Sequence, residues 1–376
     1  MIESVGPEKA GFPWSRYLAW GSIVLIFAAV LIDLGDFSFP KGFWILAGTW
    51  WGVSLAAAVL ISGRLKYVIG RLLEAVLVIW VVATLTFAML RFLPGGPFDK
   101  ERAIDPRVKA TIEAHYGLDR PVMVQYFRYL GGIVRGDFGE SYKYIGRPVS
   151  SIIEETLPVS FQLGFYSILL AFLIGVPLGV IAASRHNSWK DNWLMILAIS
   201  GVALPSFVVG PVLVMIFCFG QPFPFMQGWL PPALWESPIY FILPVFTLGI
   251  RPAAIIARMT RSSMLEVLGA DFIRTGKAKG VSNTVLLYKH VLRNALLPVL
   301  TISGPLIAGI LSGSFVVEVV FAIPGLGKHL VQSVTNRDYP LILGLTLVFS
   351  VMLVGANLIV DLLYSVVDPR IRLGKS

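Results

Sequence analysis

Runs of about twenty apolar residues, separated by short stretches rich in lysine and arginine, leave this chain few ways to fold. Eight runs can be marked, at about 17–34, 43–62, 69–93, 159–184, 192–220, 239–259, 296–322 and 341–364. As helices rising 1.5 Å per residue, each is long enough to cross a ~30 Å hydrocarbon layer. Hydrophobic residues make up 56% of the chain and charged ones only 14%, too few charges for an ordinary soluble surface. The fold class is therefore an all-α polytopic membrane protein.

The formal charge of +9 sits in short loops and orients these helices rather than marking a nucleic-acid partner. Arg64, Lys66 and Arg71, then Arg185 and Lys190, then Arg370, Arg372 and Lys375 all read as cytoplasmic, and eight spans return both termini to the cytosol. The 220–238 loop has no lysine or arginine and reads as external, with Trp229 and Trp235 at the interfacial belt. Segment 94–157 is the main external domain. There Asp105, Pro106 and Gly117 read as N-cap, first residue and terminator of a helix. In a second helix after Pro121, Met123, Tyr126, Phe127, Leu130, Ile133 and Val134 keep helical spacing and give a face to bury. Lys9 and Arg16 precede the first run without a small-residue cleavage site, which reads as a retained anchor.

Catalytic and metal chemistry find no pattern. Cys218 is the only cysteine, and His115, His186, His290 and His329 lie in four separate segments without ligand spacing. Gly276-Lys277-Ala278 lacks the upstream glycine and the Ser or Thr of a P-loop, so no ATP site is expected on this chain.

One polar stretch, Glu266 to Pro298, interrupts the C-terminal half and overlaps the cytoplasmic loop expected over 257–295. It carries Arg274, Lys277, Lys279, Lys289 and Arg293 against Glu266 and Asp271, and so lies in the cytosol. Ser263 with Glu266 suggests a capping box, Asp271 an N-cap, Gly280 a left-handed stop and Ser282 a restart. Val281, Val285, Tyr288 and Leu292, spaced four, three and four, then form an apolar stripe that needs a partner.

Phe272 to Gly280, followed by His290-Val291-Leu292-Arg293-Asn294-Ala295-Leu296-Leu297-Pro298, resembles the EAA loop of ABC importer permeases in its peptide-transporter form. Tyr116-Gly117-Leu118-Asp119-Arg120-Pro121, Gln125-Tyr126-Phe127, Gly136-Asp137-Phe138-Gly139, Asn336-Arg337-Asp338-Tyr339 and Val366-Val367-Asp368-Pro369-Arg370-Ile371-Arg372 are similar to the same branch. Arg274, Thr275 and Gly276 stand where the general motif has Glu-Ala-Ala, and Gly276 should loosen its turn by roughly 0.5–1 kcal/mol.

The resemblance implies a six-span type I permease core over 64–376, with 1–63 as an added two-span extension, in a bacterial inner membrane. It implies that Arg274, Thr275, Gly276, Lys279, Gly280, Val285, Tyr288 and Leu292 couple to an ATPase. The implied partners are a second permease subunit, two ATPase subunits that hold ATP and magnesium, an external peptide-binding protein and a peptide substrate. Import of nickel or a sugar is the alternative within this branch. An ion-coupled secondary transporter is the alternative outside it, and would carry buried midplane carboxylates and inverted repeats.

Arg251 lies about twelve residues, or ~18 Å, into its span. It either lines the translocation pathway and meets acidic groups of the peptide, or snorkels or pairs with a partner subunit. Glu318, near a span end, is expected to be hydrated or paired.

Overall fold

The computed structural model describes residues 65–92, 97–98 and 106–367. The added pair of spans, the Asp105 cap and the motif beyond Val367 lie outside the described residues. Among the described residues five helices are long and apolar enough to cross a membrane: Ile69–Phe92, Val149–Ser184, Pro238–Leu268, Asn283–Ile307 and Tyr339–Val360. A bent pair makes a sixth if it is one span.

In chain order the α-helices are α1 (Leu65–Phe92), α2 (Pro106–His115), α3 (Val122–Arg135), α4 (Val149–Ser184), α5 (Trp189–Ala203), α6 (Ser206–Phe217) and α7 (Ile242–Leu268). After α8 (Asp271–Ala278) come a short turn Asn283–Val285 and a π-helical turn Leu286–Val291. The chain ends with α9 (Leu292–Val320), α10 (Leu326–Asn336) and α11 (Tyr339–Val367). Residues 75–367 form one compact unit.

α4 and α7 are the central pair, and small residues bring their backbones together. A Cβ on Gly175 would lie 2.6 Å from the Ala253 carbonyl oxygen, and one on Gly249 would lie 2.9 Å from that of Ser167. Contact this close replaces side-chain packing with backbone packing, the usual solution where lipid removes the hydrophobic drive between helices.

Several boundaries differ from the sequence expectation. α4 starts at Val149 instead of 159, because Val149, Ile152, Ile153, Thr156 and Ser160 keep one buried face while Glu154 and Glu155 stay outside. The span expected over 192–220 is broken by 109° between α5 and α6. Leu204 is extended there, as a residue before proline prefers, and Pro205 caps α6.

α7 runs on to Leu268, so Ser263 and Glu266 lie inside a continuous helix and make no capping box. Ser263 and Met264 are buried on its inner face, and no glycine or proline occurs between Ser263 and Gly269. Of the two tryptophans expected at the external interface, Trp229 is exposed, whereas Trp235 stacks on Phe241 at 3.9 Å and donates to Gln162.

Candidate functional site

The polar stretch after α7 folds into an elbow. Ala270 is the cap residue of α8 and Asp271 its first helical residue, so the expected Asp271 cap is displaced by one position; the carboxylate makes no cap hydrogen bond but stays in the first turn, where the helix dipole favours negative charge. Gly280 takes φ +76 and ends the turn as expected, with Val281 N–H donating to the Gly276 carbonyl at 3.2 Å. Gly276 has a packing reason: its Cβ would lie 2.8 Å from Leu286 Cδ1, so the glycine lets α8 settle onto the next turn.

The inner face of the elbow is apolar. Ile273, Leu286, Val291 and Ala295 are buried in a cluster with Met264 of α7 and with Val180 and Ala183 of α4. The spacing from Leu286 to Val291 is five because the helix makes a π turn there, which rotates its faces relative to a regular helix.

The expected stripe is therefore split. Val281 and Leu292 are half-buried, while Val285 (44% exposed) and Tyr288 (57%) point away from the chain, as does Phe272. Arg274, Thr275, Lys279 and Gly280 are exposed beside them, and Gly276 is half-buried. The inward set Leu286, Val291 and Ala295 was missed because it fits no 3.6-residue period.

Near the elbow one charged tie holds α5 to α7. Arg261 donates to both Asp191 carboxylate oxygens, Nε at 2.6 Å and Nη2 at 2.8 Å, and His186 Nδ1 lies 3.4 Å from the same carboxylate. Arg251 is on the exposed face of α7, and its neighbours Pro252, Ala253 and Ala254 are buried.

Four short motifs that are scattered along the sequence come together at the other end of α4. Asp338 is fully buried and accepts from the Ser141 hydroxyl, from the backbone N–H groups of Tyr142 (3.1 Å) and Lys143 (3.3 Å), and from Leu341 N–H in the first turn of α11. Arg337 closes α10 in the left-handed conformation. Gly136 closes α3 at φ +72, and Asp137 Oδ1 then accepts from Gly139 N–H at 2.9 Å. Gln125 donates to the Leu118 and Arg120 carbonyls and accepts from Arg91.

Glu318, expected to be hydrated or to need a partner, is fully buried and finds its partners in this chain. Its carboxylate accepts from Ser160 Oγ at 2.8 Å and from Gly327 N–H at 2.7 Å, at the N-terminus of α10. Ser160 Oγ in turn accepts from Leu326 N–H.

Tyr126 of α3 meets Thr84 by a 2.8 Å hydrogen bond and Phe87 at 5.4 Å, and Tyr129 stacks on Phe87. The face of α3 expected to be buried is thus only partly used, since Met123, Phe127 and Val134 remain exposed. Tyr116, Tyr142 and Tyr339 form a further aromatic group, Tyr116 and Tyr142 at 4.6 Å between centroids. Burial pushes the Tyr116, Tyr129 and Tyr142 phenols above their ordinary value, so they remain protonated.

These motifs line a half-open cavity of about 510 Å³ whose lining includes Arg91, Tyr116, Arg120, Asp137, Glu140 and Tyr339, with Arg120, Asp137 and Glu140 exposed to solvent.

Residues 175–373 match the family described as binding-protein-dependent transport system inner membrane component, and residues 64–163 match its N-terminal part. The dipeptide transport system permease protein of Bacillus subtilis is 46% identical over 310 residues, which is 82% of this chain and 99% of that protein. The oligopeptide transport system permease protein of Haemophilus influenzae is likewise 46% identical over 310 residues, with the same coverage. A solved structure of the MetNI methionine ABC transporter in inward-facing form aligns over 58% of this chain and 96% of that chain, at 16% identity and TM-score 0.48. By these family and sequence matches, the chain belongs to the binding-protein-dependent transport system inner membrane components, on their oligopeptide and dipeptide permease branch.

Proposed function

We propose that this chain is the permease subunit of an ATP-driven importer of oligopeptides or dipeptides, forming half of the translocation path beside a second, similar permease subunit. The elbow faces the cytosol, with both termini on the same side, and carries two ATPase subunits between the paired permeases. An external binding protein delivers the peptide at the opposite face. ATP and magnesium belong to the ATPases; this chain binds and transmits but does no covalent chemistry.

The observation that carries the coupling role is the exposed patch of Phe272, Val285 and Tyr288 beside Arg274, Thr275, Lys279 and Gly280. Exposed apolar side chains rimmed by polar ones mark a protein contact. Ile273 and Leu286 anchor the patch from behind against Met264 of α7, so force applied to α8 reaches α7 and, through it, α4. Coupling further requires that the docked elbow differ in free energy between the states of the transporter. Arg251, on the outer face of α7, lies on this reading along the path or against the second subunit.

The test is co-purification of the native membrane complex, followed by its ATPase activity with and without peptide, comparing wild type with Gly280→Pro. Proline fixes φ near −65° and cannot adopt the +76° of this turn. Wild type should bring ATPase subunits and a second permease, and the variant should lose binding or coupling. A chain that purifies alone and moves solute without ATP would overturn the reading.

A further inference from the structure

The cavity at the motif end is built with more chemistry than a structural joint needs. From the side of α1 to α3 come three guanidinium groups, Arg91, Arg120 and Arg128; from the loop after α3 come two carboxylates, Asp137 and Glu140. Arg91 is held by Gln125 and lies over the Phe87 ring at 5.3 Å. Arg128 Nη1 would be 3.2 Å from a Cβ on Gly117, so the missing side chain leaves that guanidinium its place. Tyr129 is also on the lining, with its hydroxyl buried and without a hydrogen-bond partner. Asp137 spends Oδ1 on Gly139 N–H.

A volume of about 510 Å³ falls in the range of small-ligand sites and suits a peptide of two or three residues. Charge narrows the choice. A simple anion such as phosphate would be drawn by the arginines but repelled by Asp137 and Glu140, whereas a zwitterion satisfies both signs. We propose that this cavity is a holding site for short zwitterionic peptides, its guanidinium groups taking the terminal carboxylate and Asp137 and Glu140 the terminal ammonium. The inference rests on the peptide-import reading and adds a site and an orientation to it.

The experiment is saturation-transfer NMR on the complete membrane complex in nanodiscs, without the external binding protein, using trialanine and trialanine amide as probes. The amide should bind about tenfold more weakly than the free carboxylate. Arg120→Gln combined with Arg128→Gln should weaken trialanine by a similar factor and leave the amide nearly unchanged. Equal binding of the two probes to wild type, a double variant within twofold of wild type, or displacement of trialanine by equimolar phosphate would each overturn the proposal.

Should the double variant fail to assemble, the wild-type comparison of acid and amide decides. Binding-protein-driven uptake of trialanine, measured in parallel, separates the two ideas. Uptake without cavity binding removes only the holding site, while no uptake of any peptide removes the importer reading beneath it.

Discussion

The two ends of α4 are held by different forces. At the motif end the chain is fixed by buried carboxylates that gather hydrogen bonds from backbone N–H groups and serine hydroxyls: Asp338 from the 141–143 loop and α11, and Glu318 from Ser160 and the start of α10. At the elbow, Ile273, Leu286, Val291 and Met264 make contact through apolar surface, and the polar side chains of α8 face outward. Hydrogen bonds weaken steeply with angle, so the first arrangement fixes position. Apolar burial is non-directional, so the second tolerates sliding and tilting. On the proposed function, this asymmetry would let the chain hold a ligand at one face and transmit motion at the other.

Removing a polar lock is the harshest way to break the comparison. Asp338→Ala strands the Ser141 hydroxyl and the Tyr142 and Leu341 N–H groups, leaves Lys143 N–H only its 3.2 Å bond to Ser141 Oγ, and should cost about 3 kcal/mol. Thermal unfolding of the solubilised complex measures the loss, and hydrogen exchange locates it. Exchange at Tyr142 and Lys143 should rise steeply while the elbow amides stay as they were. If the elbow loosens equally, the two ends are one cooperative unit and the contrast fails.

Ile273→Ala asks the same question from the other side, with an expected cost of about 2–3 kcal/mol for a buried isoleucine. Exchange should rise across α8 and the π turn and leave residues 139–143 protected. Tyr288→Ala is its control. That side chain is exposed, so stability should hold within about 0.5 kcal/mol while ATPase binding falls.

How much of this was readable from sequence follows the same division. Hydropathy located the spans among the described residues, though not all of their ends, and the turn signals placed Gly117 and Gly280 correctly, because those features are local. Asp338 and Glu318 were opaque because their side-chain partners lie 197 and 158 residues away, a distance no spacing rule reaches. Helix ends failed where burial overrode a local signal, as at Ser263, which looks like a cap but packs inside α7. The elbow stripe was half right: Val285 and Tyr288 do face outward, but the π turn redirected the rest of the pattern.

A smaller effect sharpens the view of the elbow. At Gly280 a Cβ would meet nothing within 4 Å, so Gly280→Ala carries only the strain of φ +76, about 1 kcal/mol. At Gly276 the backbone is ordinary but Leu286 stands 2.8 Å from the new Cβ. Alanine there must push a flexible side-chain end aside. Gly280→Ala should therefore lower stability with little change in packing, and Gly276→Ala should shift the Leu286 methyl resonances. The opposite pattern would mean that the turn, rather than the apolar contact, sets the position of α8.

The smallest effect concerns pH and belongs to the motif end alone. His329 on α10 packs edge-on to Tyr144 at 5.9 Å, and its Nδ1 is buried without a hydrogen-bond partner. Burial lowers its pKa below 6.5, helped by the charges of Lys328 and Arg147 and opposed by Glu155. A base with a lowered pKa binds fewer protons folded than unfolded, so folding is undisturbed above about pH 6.5 and weakens as pH falls below it. The penalty stops growing once pH passes the folded value. Half-exposure keeps the effect modest, but His329→Gln isolates it: the difference in unfolding temperature between variant and wild type should be flat from pH 8 to 6.5 and then move in favour of the variant. Elbow exchange rates should show no such change over this range, since the elbow is held by the apolar cluster of Ile273, Leu286, Val291, Ala295 and Met264. A matching pH response at the elbow would mean that the two ends communicate through α4 even without ATP.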